Sequence, residues 1–214
     1  MSQLPNDAKS ELDTHVLHRM SGQLSEKYAG TFTLETVERY FFESYATLGR
    51  TARVKTYLAS IAGRFADDRL HALAQSMGAM PNEHPQVLFV CVQNAGRSQI
   101  AAALLSRISQ GAVEVRSAGS LPAGEVHPFA VELLSERGIN VEEAFPKPLT
   151  DDVVRAADYV ITMGCGDTCP IYPGKQYLDW EIADPQDVTF EKANEIFSDI
   201  ETRVNDLWER IKGS

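Results

Sequence analysis

The chain has 214 residues, 43% of them hydrophobic, and 20 basic against 30 acidic side chains give a formal net charge of -10. That length and apolar fraction suit one or two globular domains. The acidic balance argues against a general nucleic-acid or anionic-membrane surface, and no apolar run approaches the ~18 residues of a membrane helix.

Three cysteines are too few, and odd in number, for a disulfide framework. They read as redox or catalytic thiols of a chain expected in the cytoplasm. No Cys/His cluster has zinc spacing, so no metal and no bound cofactor is expected. His15, His18, His71, His84 and His127 are scattered and read as surface or satisfied residues. Residues 1–85 carry 9 basic and 10 acidic side chains, and residues 86–214 carry 11 and 20. Any anion site in the acidic second part must therefore be a local device.

In chain order, residues 1–6 are a polar start. A helix is predicted from about Ala8 to Ala29, with Leu12, Val16, Met20 and Leu24 at every fourth position; Gly30 ends it. Thr33 reads as the N-cap of a second helix to Leu48, with Glu35 in its first turn and Val37, Tyr40, Phe41 and Tyr45 on one face. A third is predicted from about Thr51 to Met77 through Val54, Leu58, Ile61, Phe65, Leu70 and Leu73. Three helices with short connections give a small all-α three-helix bundle over residues 1–80. The segment Gly49-Arg50-Thr51-Ala52-Arg53-Val54-Lys55 is basic, but the bundle is nearly neutral overall. A self-association or partner surface is therefore favoured over DNA binding. Gly78 to Pro85 reads as a linker, and a second domain is expected over residues 86–214.

That domain opens on Val87-Leu88-Phe89-Val90-Cys91-Val92-Gln93-Asn94-Ala95-Gly96-Arg97-Ser98. The apolar run reads as a buried parallel strand, and Ile100, Ala101, Leu104, Leu105 and Ile108 then follow a helical period. Between them lies a tight loop with Asn94 and Gly96, both tolerant of positive φ. An anion held there would meet the backbone N–H groups of residues Val92 to Ser98 and the positive end of the helix dipole. The Arg97 fork suits two oxygens of a tetrahedral oxyanion. The same field favours thiolate over thiol at Cys91, and Ser98 is placed to donate to that sulfur.

Val113 to Ser120 reads as a second strand, and His127-Pro128 opens a helix to about Gly138 with Val131, Leu133 and Leu134. Thr150 caps a short helix to Ala157. Asp158–Met163 and Gln176–Trp180 read as strands three and four, and Thr189 caps the last helix through Ile196, Ile200, Val204, Leu207 and Ile211. Strands alternating with helices imply a four-stranded parallel sheet flanked by helices. Its active site belongs at the carboxyl ends of the strands, where Cys91, Cys165 and Asp184 should converge.

From Gln86 to about Ile211 the sequence resembles the low-molecular-weight tyrosine phosphatase superfamily, on VLFVCVQNAGRSQIAAALL, RSAGS, ITMGCGDTCP and DWEIADP. More narrowly it is similar to the arsenate reductases of that superfamily, in the actinobacterial group with an extra helical N-terminal domain. The resemblance implies a phosphatase-like α/β fold and places RSAG beside the anion loop, with Ser117 helping to fix Asn94. It also implies that Asp184-Pro185 supplies the general acid, which expulsion of hydroxide requires. Two departures stand out: Gly96 lies where many relatives carry a second Cys, and Gln93 where many carry Gly.

Cys165 and Cys169 bear on the choice between reductase and phosphatase, since a hydrolase has no use for two more thiols in an active-site loop. In the reductase reading Cys91 attacks arsenate, Cys165 attacks the Cys91 sulfur, and Cys169 carries the disulfide out to thioredoxin. Alternatively, as in the actinobacterial relatives, mycothiol attacks the adduct and mycoredoxin reduces the mixed disulfide. Better-known thioredoxin-linked relatives hold the pair further apart; here three residues intervene. A low-molecular-weight protein-tyrosine phosphatase remains as an alternative, although Gln186 stands where those enzymes usually carry an aromatic residue. An oxyanion or redox sensor with the bundle as its output module is another.

Overall fold

A computed structural model describes residues 6–51, 56–141, 144–164, 169–185 and 188–213, with side chains from Thr14 onward. The polar start, the Leu12 side chain, Arg53 to Lys55, Cys165 with Gly166, and Gln186 lie outside the described residues. The chain separates into two compact units, residues 1–79 and 80–214.

Unit 1 holds α1 (Asn6–Lys27), α2 (Leu34–Gly49) and α3 (Leu58–Ser76). Thr33 caps α2 as expected, its hydroxyl accepting from the Thr36 amide at 3.2 Å. Val37, Phe41 and Leu48 of α2 are buried, with Phe41, Leu17 and Ala66 in one cluster. Arg69 is buried too, but it donates to Ser44 and Glu43 and lies 4.4 Å from the Tyr40 ring centroid, so its charge is compensated. Two boundaries differ from the sequence reading. α1 stops at Lys27, because Thr31 closes a turn onto the Tyr28 carbonyl around Gly30 at φ +85. α3 starts at Leu58 rather than Thr51. Thr51 bonds back to Leu48 at the end of α2, Thr56 and Tyr57 form a turn, and β-branched residues extend a helix poorly.

Unit 2 runs β1 (Gln86–Cys91), α4 (Arg97–Ser109), β2 (Glu114–Gly119), α5 (Pro128–Glu136), α6 (Asp151–Ala156), β3 (Tyr159–Met163), β4 (Gln176–Asp179) and α7 (Phe190–Lys212). The strands form one sheet of order β2-β1-β3-β4, parallel throughout. All six residues of β1 are buried, as expected of a central parallel strand. Val87, Phe89 and Cys91 join the core built by α4, α5 and α7; Leu88 and Val90 point to the other face. Thr189 caps α7, accepting from the Lys192 amide at 3.3 Å. Ala193, Ile196, Phe197, Ile200, Val204, Leu207 and Ile211 form its buried stripe. Thr150 precedes α6, but its hydroxyl donates to Asp152 instead of capping the helix backbone. Val131 stays exposed, whereas Phe129, Ala130, Leu133 and Leu134 of α5 are buried.

This topology positions the site. From β1 the chain goes to β2 on one side and then crosses to β3 on the other. The carboxyl ends of β1 and β3 therefore flank the switch point where α/β sheets bind ligands. Cys91 is the last residue of β1 and sits in register with Gly119 on β2 and Met163 on β3. Among the described residues, no helix is long and apolar enough to cross a membrane.

Candidate active site

The loop after β1 is shaped by bonds to its carbonyls. The amides of Ser120, Leu121, Ala123 and His127 donate to the carbonyls of Cys91 (3.1 Å), Val92 (2.8 Å), Gln93 (2.9 Å) and Ala95 (2.8 Å). In a trans peptide the N–H of the next residue points opposite to the carbonyl. Turning these four carbonyls toward the segment after β2 therefore turns the amides of Val92, Gln93, Asn94 and Gly96 to the other side. The Asn94 amide is seen doing so, donating to the Cys91 sulfur at 3.2 Å. Asn94 takes φ +48, as a short amide side chain can. Arg97 and Ser98 then begin α4, adding a helix N-terminus to the same concavity.

A second chain of donors ends on the sulfur. The Lys147 amide (2.7 Å) and the Gln99 side chain (3.1 Å) donate to Asn94 Oδ1. This orients the Asn94 amide so that Nδ2 donates to Ser98 Oγ at 2.8 Å. Ser98 Oγ in turn lies 2.9 Å from Cys91 Sγ, within hydrogen-bond reach of the sulfur. The Asn94 amide and the Ser98 hydroxyl thus converge on a sulfur that is almost wholly buried. The sequence reading expected Ser117 to fix Asn94. Ser117 is buried on β2 opposite Phe89, but among the described residues the Asn94 side chain is held by Ser98, Gln99 and the Lys147 amide instead.

Glycine is required where β2 meets this loop. A Cβ at Gly119 would lie 2.8 Å from the Val92 carbonyl and 2.9 Å from the Asn94 backbone nitrogen, both immobile. The RSAG segment therefore does support the loop, through the glycine rather than the serine.

Arg97 is almost fully buried and faces the opposite wall. Its Nη2 donates to Asp184 Oδ2 at 2.7 Å and its Nη1 to the Ile182 carbonyl at 3.3 Å. The Asp184 side chain is 53% exposed. Cys91, Gln93, Gly96, Arg97, His127, Phe129, Asp184 and Pro185 line one cavity of about 20 Å³, room for roughly one water. Cys91 and Asp184, expected to converge with Cys165, share this cavity with Arg97, while Cys165 lies outside the described residues. His127 and Phe129 belong to it as well, although nothing in their spacing marked them. His127 caps α5, its Nδ1 accepting from the Phe129 amide at 3.4 Å.

Cys169 is a buried thiol whose sulfur lies 3.9 Å from the Pro170 carbonyl oxygen. Its neighbour Pro170 accepts from the Tyr177 hydroxyl at 3.1 Å, and that hydroxyl accepts from the Tyr172 amide at 2.8 Å. Burial first, and Cys169 second, push the Tyr177 hydroxyl above the ordinary phenol range. At the other end of the same loop, Gly164 has φ +71, and a Cβ there would lie 3.1 Å from Arg97 Nη1. The residue preceding Cys165 thus abuts the anion-binding arginine.

Comparison with known proteins agrees with this geometry. Residues 17–74 match the protein-tyrosine-phosphatase-like N-terminal domain, and residues 86–214 match the low molecular weight phosphotyrosine protein phosphatase family. Among solved structures, a Corynebacterium glutamicum thioredoxin-dependent arsenate reductase is 57% identical. The similarity covers 93% of this chain and 97% of that one with a TM-score of 0.84. A glutaredoxin arsenate reductase of Synechocystis is 30% identical over 129 residues, which is 59% of this chain and 98% of that protein. An arsenate reductase of Halalkalibacterium halodurans is 33% identical over 103 residues, 46% of this chain and 73% of the relative. The family match takes in all of the sheet and every helix of unit 2, and the chain belongs to the low molecular weight phosphotyrosine protein phosphatase family.

Proposed function

We propose that this protein is an arsenate reductase in which Cys91 holds the oxyanion covalently while Cys165 and Cys169 carry electrons out to thioredoxin. The observation that carries the reading is the likeness, across both units, to a thioredoxin-dependent arsenate reductase at 57% identity. The site geometry is compatible with it. A phosphatase of the same fold would use the Cys91 loop and Asp184, but it would leave two thiols without work.

Arsenate displaces the Asp184 carboxylate from the Arg97 fork and takes the loop amides for its remaining oxygens. The Cys91 thiolate, held by Ser98 and the Asn94 amide, attacks arsenic. A sulfur–arsenic bond forms, one arsenic–oxygen bond breaks, and Asp184, which takes up a proton from solvent once it has left Arg97, protonates the departing oxygen so that it leaves as water. The Cys165 thiolate next attacks the Cys91 sulfur. The electron pair of the sulfur–arsenic bond stays on arsenic, which departs as arsenite, and a Cys91–Cys165 disulfide remains. Cys169 attacks Cys165, returns Cys91 as thiolate and leaves a Cys165–Cys169 disulfide for thioredoxin to reduce. Capture of the adduct by mycothiol, with reduction by mycoredoxin, would make the last two cysteines dispensable. The name of the 57% identical neighbour favours thioredoxin. Residues 1–80 then act as an accessory domain offering a surface for self-association, and the reaction belongs in the reducing cytoplasm.

The test is a coupled NADPH-oxidation assay with arsenate on the wild type, Cys165→Ser and Cys169→Ser, run once with thioredoxin and thioredoxin reductase and once with mycothiol and mycoredoxin. Turnover that needs thioredoxin and stops in both variants supports the relay. Turnover that needs mycothiol and persists in both variants removes it. Absence of arsenate turnover in either system, with fast hydrolysis of aryl phosphate, overturns the reductase reading.

A further inference from the structure

We propose that Phe129 is a size filter, which restricts the Cys91 site to a bare tetrahedral oxyanion and rejects aryl phosphate esters. The inference deepens the proposed function and rests on its oxyanion site. Phe129 lies in the first turn of α5, directly after Pro128. Its ring edge is set on the backbone of the anion loop: a Cβ at Gly96 would lie 3.0 Å from Phe129 Cζ and 3.3 Å from Pro185 Cγ. The ring and Pro185 thus flank Gly96 and line the cavity.

What decides the selectivity is which wall can move. Phe129 is 8% exposed and belongs to the main core of unit 2. His127 stacks on it with ring centroids 4.4 Å apart and accepts its backbone amide. His127 is itself tied to the loop through its amide and the Ala95 carbonyl, at 2.8 Å. Displacing the ring would disturb the core, a cap and the anion loop together. Asp184, by contrast, is 53% exposed and pairs with Arg97 from the solvent side. An oxyanion that takes over the Arg97 fork releases that carboxylate to solvent at little cost. The space for a tetrahedral ion therefore comes from the polar wall.

An ester needs more. In an in-line displacement the leaving oxygen points away from the attacking atom, here away from Cys91 and toward the Asp184–Pro185 side. For arsenate that oxygen carries only hydrogen. For an aryl phosphate it carries a ring, which must find room beside the Phe129 and Pro185 walls of the cavity. Release of Asp184 leaves the Phe129 and Pro185 walls where they were.

The experiment measures protection of Cys91 from iodoacetamide by inorganic phosphate and by phenylphosphonate, on wild type, Phe129→Ala and Phe129→Leu. Hydrolysis of p-nitrophenyl phosphate is followed alongside. In that hydrolysis the Cys91 thiolate forms a bond to phosphorus, the nitrophenolate leaves with the Asp184 proton, and water then breaks the sulfur–phosphorus bond. Phosphate should protect the wild type at least about tenfold better than phenylphosphonate, the scale on which a pocket discriminates by size. Phe129→Ala should reduce that ratio about tenfold and raise kcat/KM for the aryl phosphate by a similar factor. Phe129→Leu, which keeps most of the core volume, should move both in the same direction by about threefold, and it serves as the test if the alanine variant does not fold. Equal protection of the wild type by the two ligands would overturn the filter, as would an unchanged ratio in folded variants. Failure of both ligands to protect any form would overturn the oxyanion site, and the filter with it. A lack of arsenate turnover with the predicted ratios intact would count against the reductase reading alone.

Discussion

Residues 91–98 and residues 182–185 face each other across one cavity, yet they are held by different means. Four backbone donors fix the carbonyls of the loop, a chain of side-chain donors leads to its sulfur, and Gly119 lies against it with no room for a methyl group. The opposite side reaches Arg97 through a carboxylate that is 53% exposed and through the Ile182 carbonyl. Groups that must stabilise charge as it develops need to be in place beforehand. An acid that must yield to the incoming ion and then serve the leaving oxygen needs freedom. Damage to the loop should therefore cost both stability and rate, whereas damage to the facing wall should cost rate alone.

Cys91→Ser carries the largest expected loss, at least about 10⁴-fold in arsenate turnover, with phosphate binding retained because the amides and Arg97 are untouched. Both are read from steady-state rates and a phosphate titration. Asp184→Asn should lower turnover by about 10²–10³-fold, the contribution of a general acid. Its melting curve should stay close to the wild type, since the asparagine amide oxygen can still accept from Arg97 Nη2. A melting loss comparable to that of the loop variants would erase the contrast.

Gly119→Ala addresses the loop itself. Its methyl group must push the Val92 carbonyl and the Asn94 nitrogen apart, which should cost about 1–3 kcal/mol and roughly 10²-fold in turnover by misplacing the donors. Asn94→Ala strands the partly buried Lys147 amide and unhooks Ser98. About 1–3 kcal/mol is expected from denaturant unfolding, with a rate loss of about 10–100-fold.

The smallest expected effect concerns the segment around Cys169. The raised Tyr177 hydroxyl holds its proton more tightly in the folded state. Its contribution is therefore complete below the ordinary phenol value near 10 and is lost as pH rises through the higher folded value. Tyr177→Phe should flatten the alkaline decline of Tm above about pH 10. An identical decline in the variant would remove Tyr177 as its cause.

The half of the site that was legible in the sequence is the half built from local pattern. A buried run ending in Cys91, a loop with Asn94 and a helical period from Ser98 to Ile108 predicted the strand, the turn and α4 to within one residue at each helix end. The four-stranded parallel sheet followed from the alternation of strands and helices. What holds the loop in shape was not legible. The Lys147 N–H that orients Asn94 is a backbone group, so no residue type records it, and it comes from 53 positions away. The Gly119 requirement exists only after β2 is laid beside β1. His127 and Phe129 enter the site because α5 starts where its cap is pinned to Ala95; from spacing alone His127 read as a scattered histidine. The early start given to α3 has a simpler origin. An apolar period continues through Thr51 to Tyr57 without recording that Thr51 closes the preceding helix.

The most direct measurement is a single turnover without external reductant. The fully reduced chain is mixed with excess arsenate and quenched with an alkylating agent, arsenite is counted per chain, and the disulfide is located by peptide mass mapping. The expected result is one arsenite per chain, a Cys165–Cys169 disulfide and an alkylated Cys91. No arsenite until an external thiol is added, with Cys165 and Cys169 both alkylated, would contradict the internal relay and leave Cys91 as the one cysteine the reaction needs.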